Sequence, residues 1–303
     1  MKPPAFLVPK LHLGTAPVPR ETPFRGKVGN EVASASAFPS ATWEPGESLY
    51  KSWRGWLLLG AVWCGLTALA ARADNPSPAL QTVVFRGQSF LVRSVDPKKE
   101  DLRLFWKDDQ GKLTHDFVGL EKAVTAKGER LVFAANAGMF ETDSRPVGLL
   151  VQNGKEVSPL NLKDGTGNFY MKPNGVFLIN EKHEALIVES SAYPALLTPV
   201  TWATQSGPFM VIGGNINPDF NADSKNLAVR SSVGVRKDGT VVFSISRLPV
   251  NFYNFASLFV RLLNCPNALY LDGTISAFHV PGVKDTVPHS FGPIFGLVEK
   301  ANP

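Results

Sequence analysis

What most constrains this chain is a recurrence: short apolar runs meet in pairs across polar turn sequences, most of which carry a glycine. Residues 82–85 and 89–95 flank Arg86-Gly87, and 102–106 and 113–117 flank a DDQG turn. The stretch 148–157 centres on Gln152-Asn153-Gly154, 176–188 on the polar residues 180–184, and 233–245 on Lys237-Asp238-Gly239. A period of two sends successive side chains to opposite faces of a strand, and Gly, Asn or Asp at the reversal supplies backbone angles that other residues resist. Each pair therefore reads as a hairpin. The stretches VGLLVQNGK and VGVRKDGT resemble one another, which fits either a weak internal duplication or the shared physics of hairpins. Helical spacing is scarce: 118–127, closed by Gly128, and 254–264, where Phe255, Leu258, Phe259 and Leu262 share one face behind Asn254 as N-cap. The expected fold is α+β, a single domain on a mixed, strand-rich sheet with a few helices.

Ahead of the first hairpin the chain changes character. Residues 1–50 scatter Pro, Gly, Ser and charge without period, so they read as non-globular. Lys51 and Arg54 then precede the apolar run WLLLGAVWCGLTALA at 56–70, followed by Ala71-Arg72-Ala73. A basic flank, an apolar core and a small-x-small site make a secretory signal peptide over 51–73, cut after Ala73, and its internal position implies a coding start upstream of the true one. The rival is a cytosolic tail before a membrane anchor, against which polar sequence resumes directly after Ala73. Export leaves residues 74–303 as the mature domain, periplasmic or secreted, with no stable membrane anchor. Of 31 Lys/Arg and 26 Asp/Glu, eight and four lie in 1–73, leaving 23 against 22. A nearly neutral domain without a basic patch is no nucleic-acid binder. Cys265 is the one cysteine left after export, so no intramolecular disulfide forms.

The chemistry has few familiar markers. No G-x-S-x-G elbow, P-loop, H-E-x-x-H or spaced Cys/His set occurs, and the five histidines are scattered. Instead, polar residues stand beside glycines where apolar strands stop. The run 131–135 ends at Asn136, followed by Gly138 and Glu141; 268–271 ends at Asp272, followed by Gly273, Thr274 and Ser276. Between them lie Asn174-Gly175, then Gln205, Ser206 and Gly207, then Arg230, Ser231 and Ser232. Together they offer a guanidinium, two carboxylates, amides and hydroxyls, which suits a polyhydroxylated ligand carrying an anionic group.

NAGMF at 136–140, the GPFMVIGG region, RSSVGVRKDGTVVFSI and NALYLDGTIS occur in this order, and over residues 80–300 the chain resembles the phosphodiester glycosidase domain family, in an exported bacterial branch. It departs from the commonest pattern at Thr274, where many members carry a second glycine. The resemblance implies hydrolysis of a sugar-1-phosphodiester or phosphorylated glycan in envelope or extracellular material, without a cofactor. A glycosyl phosphate is already a good leaving group, so carboxylate support at the sugar and a cation on the phosphate matter most. Asp272 is then expected as nucleophile or general base, Arg230 as the phosphate cation through its planar fork, and Glu141 as second carboxylate. Asn136, Asn174, Gln205, Ser206, Gly207, Ser231, Gly273, Thr274 and Ser276 complete the expected site; no ligand cluster accompanies Asp272 to hold a metal. The alternative, motivated by Thr274 and the lack of an obvious second carboxylate, is a non-catalytic glycan-binding or envelope and exopolysaccharide assembly protein of the same fold.

Overall fold

The computed structural model describes residues 80–282 and 290–301. The segments 1–50 and 51–73 lie outside the described residues. In chain order the strands and helices are β1 (Gln81–Phe85), β2 (Gln88–Val95), β3 (Asp101–Phe105), α1 (Phe117–Thr125), β4 (Glu129–Asn136), β5 (Leu150–Gln152), β6 (Lys155–Ser158), β7 (Gly175–Asn180) and β8 (Ala185–Glu189). There follow β9 (Val200–Ser206), β10 (Phe209–Ile212), β11 (Asn215–Ile216), β12 (Ser231–Val235), β13 (Val241–Ser246), α2 (Phe252–Arg261), β14 (Asn267–Asp272), β15 (Phe278–His279) and β16 (Ile294–Lys300). They form a seven-stranded sheet ordered β1-β2-β13-β12-β14-β10-β11, a four-stranded sheet β15-β4-β16-β3, and a five-stranded sheet β6-β5-β9-β7-β8.

Two expectations are corrected here. Every strand pairing among the described residues is antiparallel, so no sheet is mixed, and the fold is mostly β rather than α+β. Short turns account for the hairpins, since they join only antiparallel neighbours, and the pairs between strands distant in sequence are antiparallel as well. The other correction concerns 113–117. Leu113 makes only an isolated bridge with Lys107, and Phe117 opens α1 because Asp116 Oδ1 accepts from Gly119 N at 2.6 Å, capping the helix.

Alternation builds the layers. In β14, Leu269 and Leu271 enter a central core with Phe133 and Ala135 of β4, Phe177 and Ile179 of β7, Phe243 of β13 and Phe295 of β16. Ala268 and Tyr270 face the opposite way, onto α2. Helix α1 covers the outer face of the four-stranded sheet through Phe117, Leu120 and Val124 against Leu131, Ala134, Ile294 and Val298. On α2, Phe255, Leu258 and Phe259 are wholly buried, each worth roughly 1.5–3 kcal/mol of transfer free energy. The helix starts earlier than its apolar pattern implies. Asn251, not Asn254, is the cap: its Oδ1 accepts from Asn254 N at 2.9 Å, and its Nδ2 donates to Ala222 O and Ser224 O at 2.9 and 3.2 Å. Leu262 falls beyond the last turn and is exposed.

The close seat of α2 depends on Gly234 of β12, where a Cβ would stand 2.7 Å from Phe259 Cδ1 and 2.9 Å from Cys265 Sγ. Burial pushes the Cys265 thiol up to about 12 from its ordinary value of 9.0. Since the thiolate is the reactive form, Cys265 is expected to resist a maleimide at pH 8 in the native protein and to react at once in denaturant, followed by mass spectrometry. The native fold also holds this proton more tightly than the unfolded chain. Its contribution to stability is therefore complete below pH 9 and declines as pH rises from there towards 12.

Candidate active site

Three strand ends from two sheets meet at one place. In the seven-stranded sheet Ser231, the first residue of β12, pairs with Asp272, the last of β14, while Ser232 pairs with Tyr270. Leu271 is thus an extra residue, and the bulge it makes re-aims the strand end at Asp272. From the four-stranded sheet comes Asn136: its Nδ2 donates to Ser231 Oγ at 2.9 Å and its Oδ1 accepts from Ala277 N at 3.1 Å. One buried amide therefore ties β4, β12 and the segment after Asp272 together.

That segment is a tight turn folded on its own carboxylate. Asp272 Oδ1 accepts from Thr274 N at 2.6 Å and Ile275 N at 2.9 Å, and Ser276 Oγ donates back to Asp272 O at 2.7 Å. Oδ2 has no hydrogen bond among the described residues and the side chain is partly exposed, so one carboxylate oxygen is held in place and left available. Thr274 itself is exposed on the turn.

Behind the turn lies a charge. Arg230 is 1% exposed, and its guanidinium rests on the Phe252 ring with Cζ 3.8 Å from the centroid. Nε donates to Val250 O at 2.7 Å, Nη2 to Asn226 O at 3.1 Å and Oδ1 at 3.2 Å, and Nη1 to Tyr270 Oη at 3.0 Å. All these acceptors are neutral. A buried guanidinium normally sits with a carboxylate, since burial of an uncompensated charge is costly. Here none of its hydrogen-bond partners among the described residues neutralises the positive charge. Gly273 covers it: a Cβ there would lie 3.5 Å from Nη1 and 1.9 Å from Tyr270 Oη. Burial also raises the Tyr270 phenol well above its usual range, so it stays protonated.

The structure thus joins Asn136, Arg230, Ser231, Asp272, Gly273, Thr274 and Ser276. It does not join the others in the same way. Glu141 is exposed on a turn closed by its backbone N to Arg145 O at 2.8 Å, and none of the hydrogen bonds that tie this cluster together involves it. Gln205 is fully engaged: Oε1 accepts from Leu149 N and Asn161 N at 3.0 and 2.9 Å, and Nε2 donates to Asn161 O and Ser190 Oγ at 2.7 and 3.1 Å. Asn174 Nδ2 donates to Phe169 O at 3.0 Å, and Ser206 Oγ to Leu271 O at 3.1 Å. Gly207 is packed so closely that a Cβ would stand 2.6 Å from Phe169 O. These four brace the loops beside the site, because a buried polar group takes whatever partner the fold offers. Tyr270, Phe252 and Asn226 escaped notice in the sequence, although Tyr270 lies two residues before Asp272. Among the described residues no group of three His, Cys, Asp or Glu side chains is placed to hold a metal ion.

The profile of the phosphodiester glycosidase family matches residues 129–289, a span that holds every residue of this cluster. The uncharacterized protein YigE of Escherichia coli (strain K12) is 33% identical over 189 residues, which cover 62% of this chain and 73% of that protein. Among solved structures, the catalytic domain of zebrafish N-acetylglucosamine-1-phosphodiester alpha-N-acetylglucosaminidase, auto-inhibited by its pro-peptide, aligns with a TM-score of 0.51. The alignment covers 72% of this chain and 81% of that one at 16% identity, a likeness of fold.

Proposed function

This chain belongs to the phosphodiester glycosidase family, and from that premise we propose that it hydrolyses a sugar-1-phosphodiester, releasing the sugar from a phosphorylated acceptor. The observation that carries the reading is an available Asp272 oxygen on a turn that covers a buried Arg230, whose hydrogen-bond partners among the described residues are all neutral. In the reaction the bond between C1 and the bridging oxygen breaks, its electron pair leaves with the phosphate, and water supplies hydroxyl to C1 and a proton to solvent. Asp272 Oδ2 supports the cationic sugar centre, as nucleophile or as base to the water. The Arg230 charge, in a site screened from water, favours the dianionic phosphate that departs. Its fork is taken up by Val250, Asn226 and Tyr270, so it acts by its field through the turn rather than as a two-oxygen clamp.

The test is a panel of sugar-1-phosphodiesters that includes the methyl phosphodiester of N-acetylglucosamine, followed by release of free sugar. Turnover of at least one member is the expected result. One observation favours a binding-only protein instead: among the described residues no second carboxylate joins Asp272 in the cluster. Tight binding of such diesters with no turnover at any pH would establish that reading in place of hydrolysis. Export belongs to the same proposal, with the domain acting on envelope or extracellular glycans in the periplasm or outside the cell. Mass spectrometry of protein recovered from those compartments is expected to find Asp74 at the N-terminus, and persistence of residues 1–73 would overturn the signal-peptide assignment.

A further inference from the structure

Arg230 stands one residue before β12 and Asp272 ends β14; the pairing of Ser231 with Asp272 sets the backbone register, but the long Arg230 side chain must be held in place by other contacts. The Phe252 ring lies under the Arg230 guanidinium, with Cζ 3.8 Å from its centroid, an attraction without the directionality of a hydrogen bond. Direction comes from the hydrogen bonds. Two of the three sets run to connecting segments, at Val250 O and at Asn226. The remaining one, Nη1 to Tyr270 Oη at 3.0 Å, is the one side-chain hydrogen bond among the described residues that ties the cation to β14, the strand that ends in Asp272. Tyr270 is itself wedged edge-on against Phe252, with centroids 4.7 Å apart at 83°. Its oxygen fills the place where a side chain at position 273 would go, 1.9 Å from that Cβ position. The same hydroxyl therefore sets the guanidinium from one side and the turn after Asp272 from the other. Because Oη accepts from Nη1, its own proton must point elsewhere, and no acceptor for it occurs among the described residues.

We propose that Tyr270 is a positioning residue of an anion subsite on the turn that follows Asp272: its hydroxyl holds Nη1 of Arg230 beneath Gly273, so that the buried charge acts on the phosphoryl group received on the outer side of that turn. The inference rests on the phosphodiester reading of the site but concerns recognition of the anion, so binding can test it without turnover. The decisive substitution is Tyr270→Phe in the full chain, which removes one oxygen and keeps the ring packed on Phe252. Calorimetry with N-acetylglucosamine-1-phosphate and with neutral N-acetylglucosamine reads anion and sugar recognition separately. The expected result is about a tenfold loss of affinity for the phosphate and a change below twofold for the neutral sugar, with KM for a methyl phosphodiester rising in parallel more than kcat falls. Equal losses for both ligands would mark a merely structural tyrosine and overturn the inference, as would unchanged affinity for the phosphate. If wild type binds the phosphate, Tyr270→Phe weakens it, and no diester is turned over, the hydrolase reading fails while this inference stands. If wild type binds neither ligand, this inference falls, while the hydrolase reading is decided by turnover of the diester panel.

Discussion

Replacing Asp272 by Asn is expected to lower kcat/KM for a sugar-1-phosphodiester by roughly a thousandfold, within the hundred- to ten-thousandfold range typical of a removed acid–base or nucleophilic group. The exchange is selective because of how the carboxylate is divided. Oδ1 carries the turn, accepting from Thr274 N and Ile275 N, and an Asn oxygen accepts the same two bonds. Only Oδ2, which has no partner among the described residues, loses its charge and lone pairs. The variant should therefore fold and melt close to wild type while losing its chemistry. Steady-state kinetics beside a thermal melt separate the two effects, and retention of more than a tenth of the wild-type rate would remove Asp272 from the reaction.

A Gly273→Ala substitution should also be severe, for steric rather than chemical reasons. The new Cβ would meet Tyr270 Oη at 1.9 Å and Cζ at 3.2 Å, and the phenol is wholly buried with nowhere to retreat. Overpacking of this kind costs about 1–3 kcal/mol, or a fall in Tm of roughly 2–12 °C for a domain of this size. The turn must lift, and displacement of Asp272 by about 1 Å costs on the order of a hundredfold in rate. Because the clashing atom is one oxygen, Tyr270→Phe in the same chain should recover much of the lost Tm. The double variant is thus expected to be more stable than the sum of the single changes implies. Strict additivity in that cycle would show that the turn and the phenol are not in the contact described.

The hairpins were legible because their pairing is local: the turns at Arg86-Gly87, Gln152-Asn153-Gly154 and Lys237-Asp238-Gly239 each join strands that pair in the expected way. The strand ends at Asn136 and Asp272 were legible for a related reason, an apolar run halted by a polar residue. Which of the polar residues meet was not. Asn136 reaches Ser231 across 95 residues and Arg230 reaches Tyr270 across 40, and no period in the chain encodes such contacts. Gln205, Asn174 and Ser206 look like ligand groups in sequence, yet inside the fold their hydrogen bonds are spent on Leu149, Asn161, Ser190, Phe169 and Leu271. Tyr270 was hidden by the opposite error. An aromatic residue in a strand reads as core, and only its contact with a buried cation gives the hydroxyl a role. The class reads as α+β because helical spacing at 118–127 and 254–264 stands beside many strands, and nothing local in the chain shows that the strands distant in sequence also pair antiparallel.

The central claim is that the chain breaks the bond from sugar carbon to bridging oxygen rather than a phosphorus–oxygen bond. Hydrolysis of a sugar-1-phosphodiester by the full chain in water enriched with oxygen-18 decides it, with the phosphate product analysed by mass spectrometry. Attack at the sugar carbon predicts a phosphomonoester free of the label. Incorporation of one labelled oxygen into that phosphate would contradict the account, since water would then have attacked phosphorus and the chain would be a phosphodiesterase.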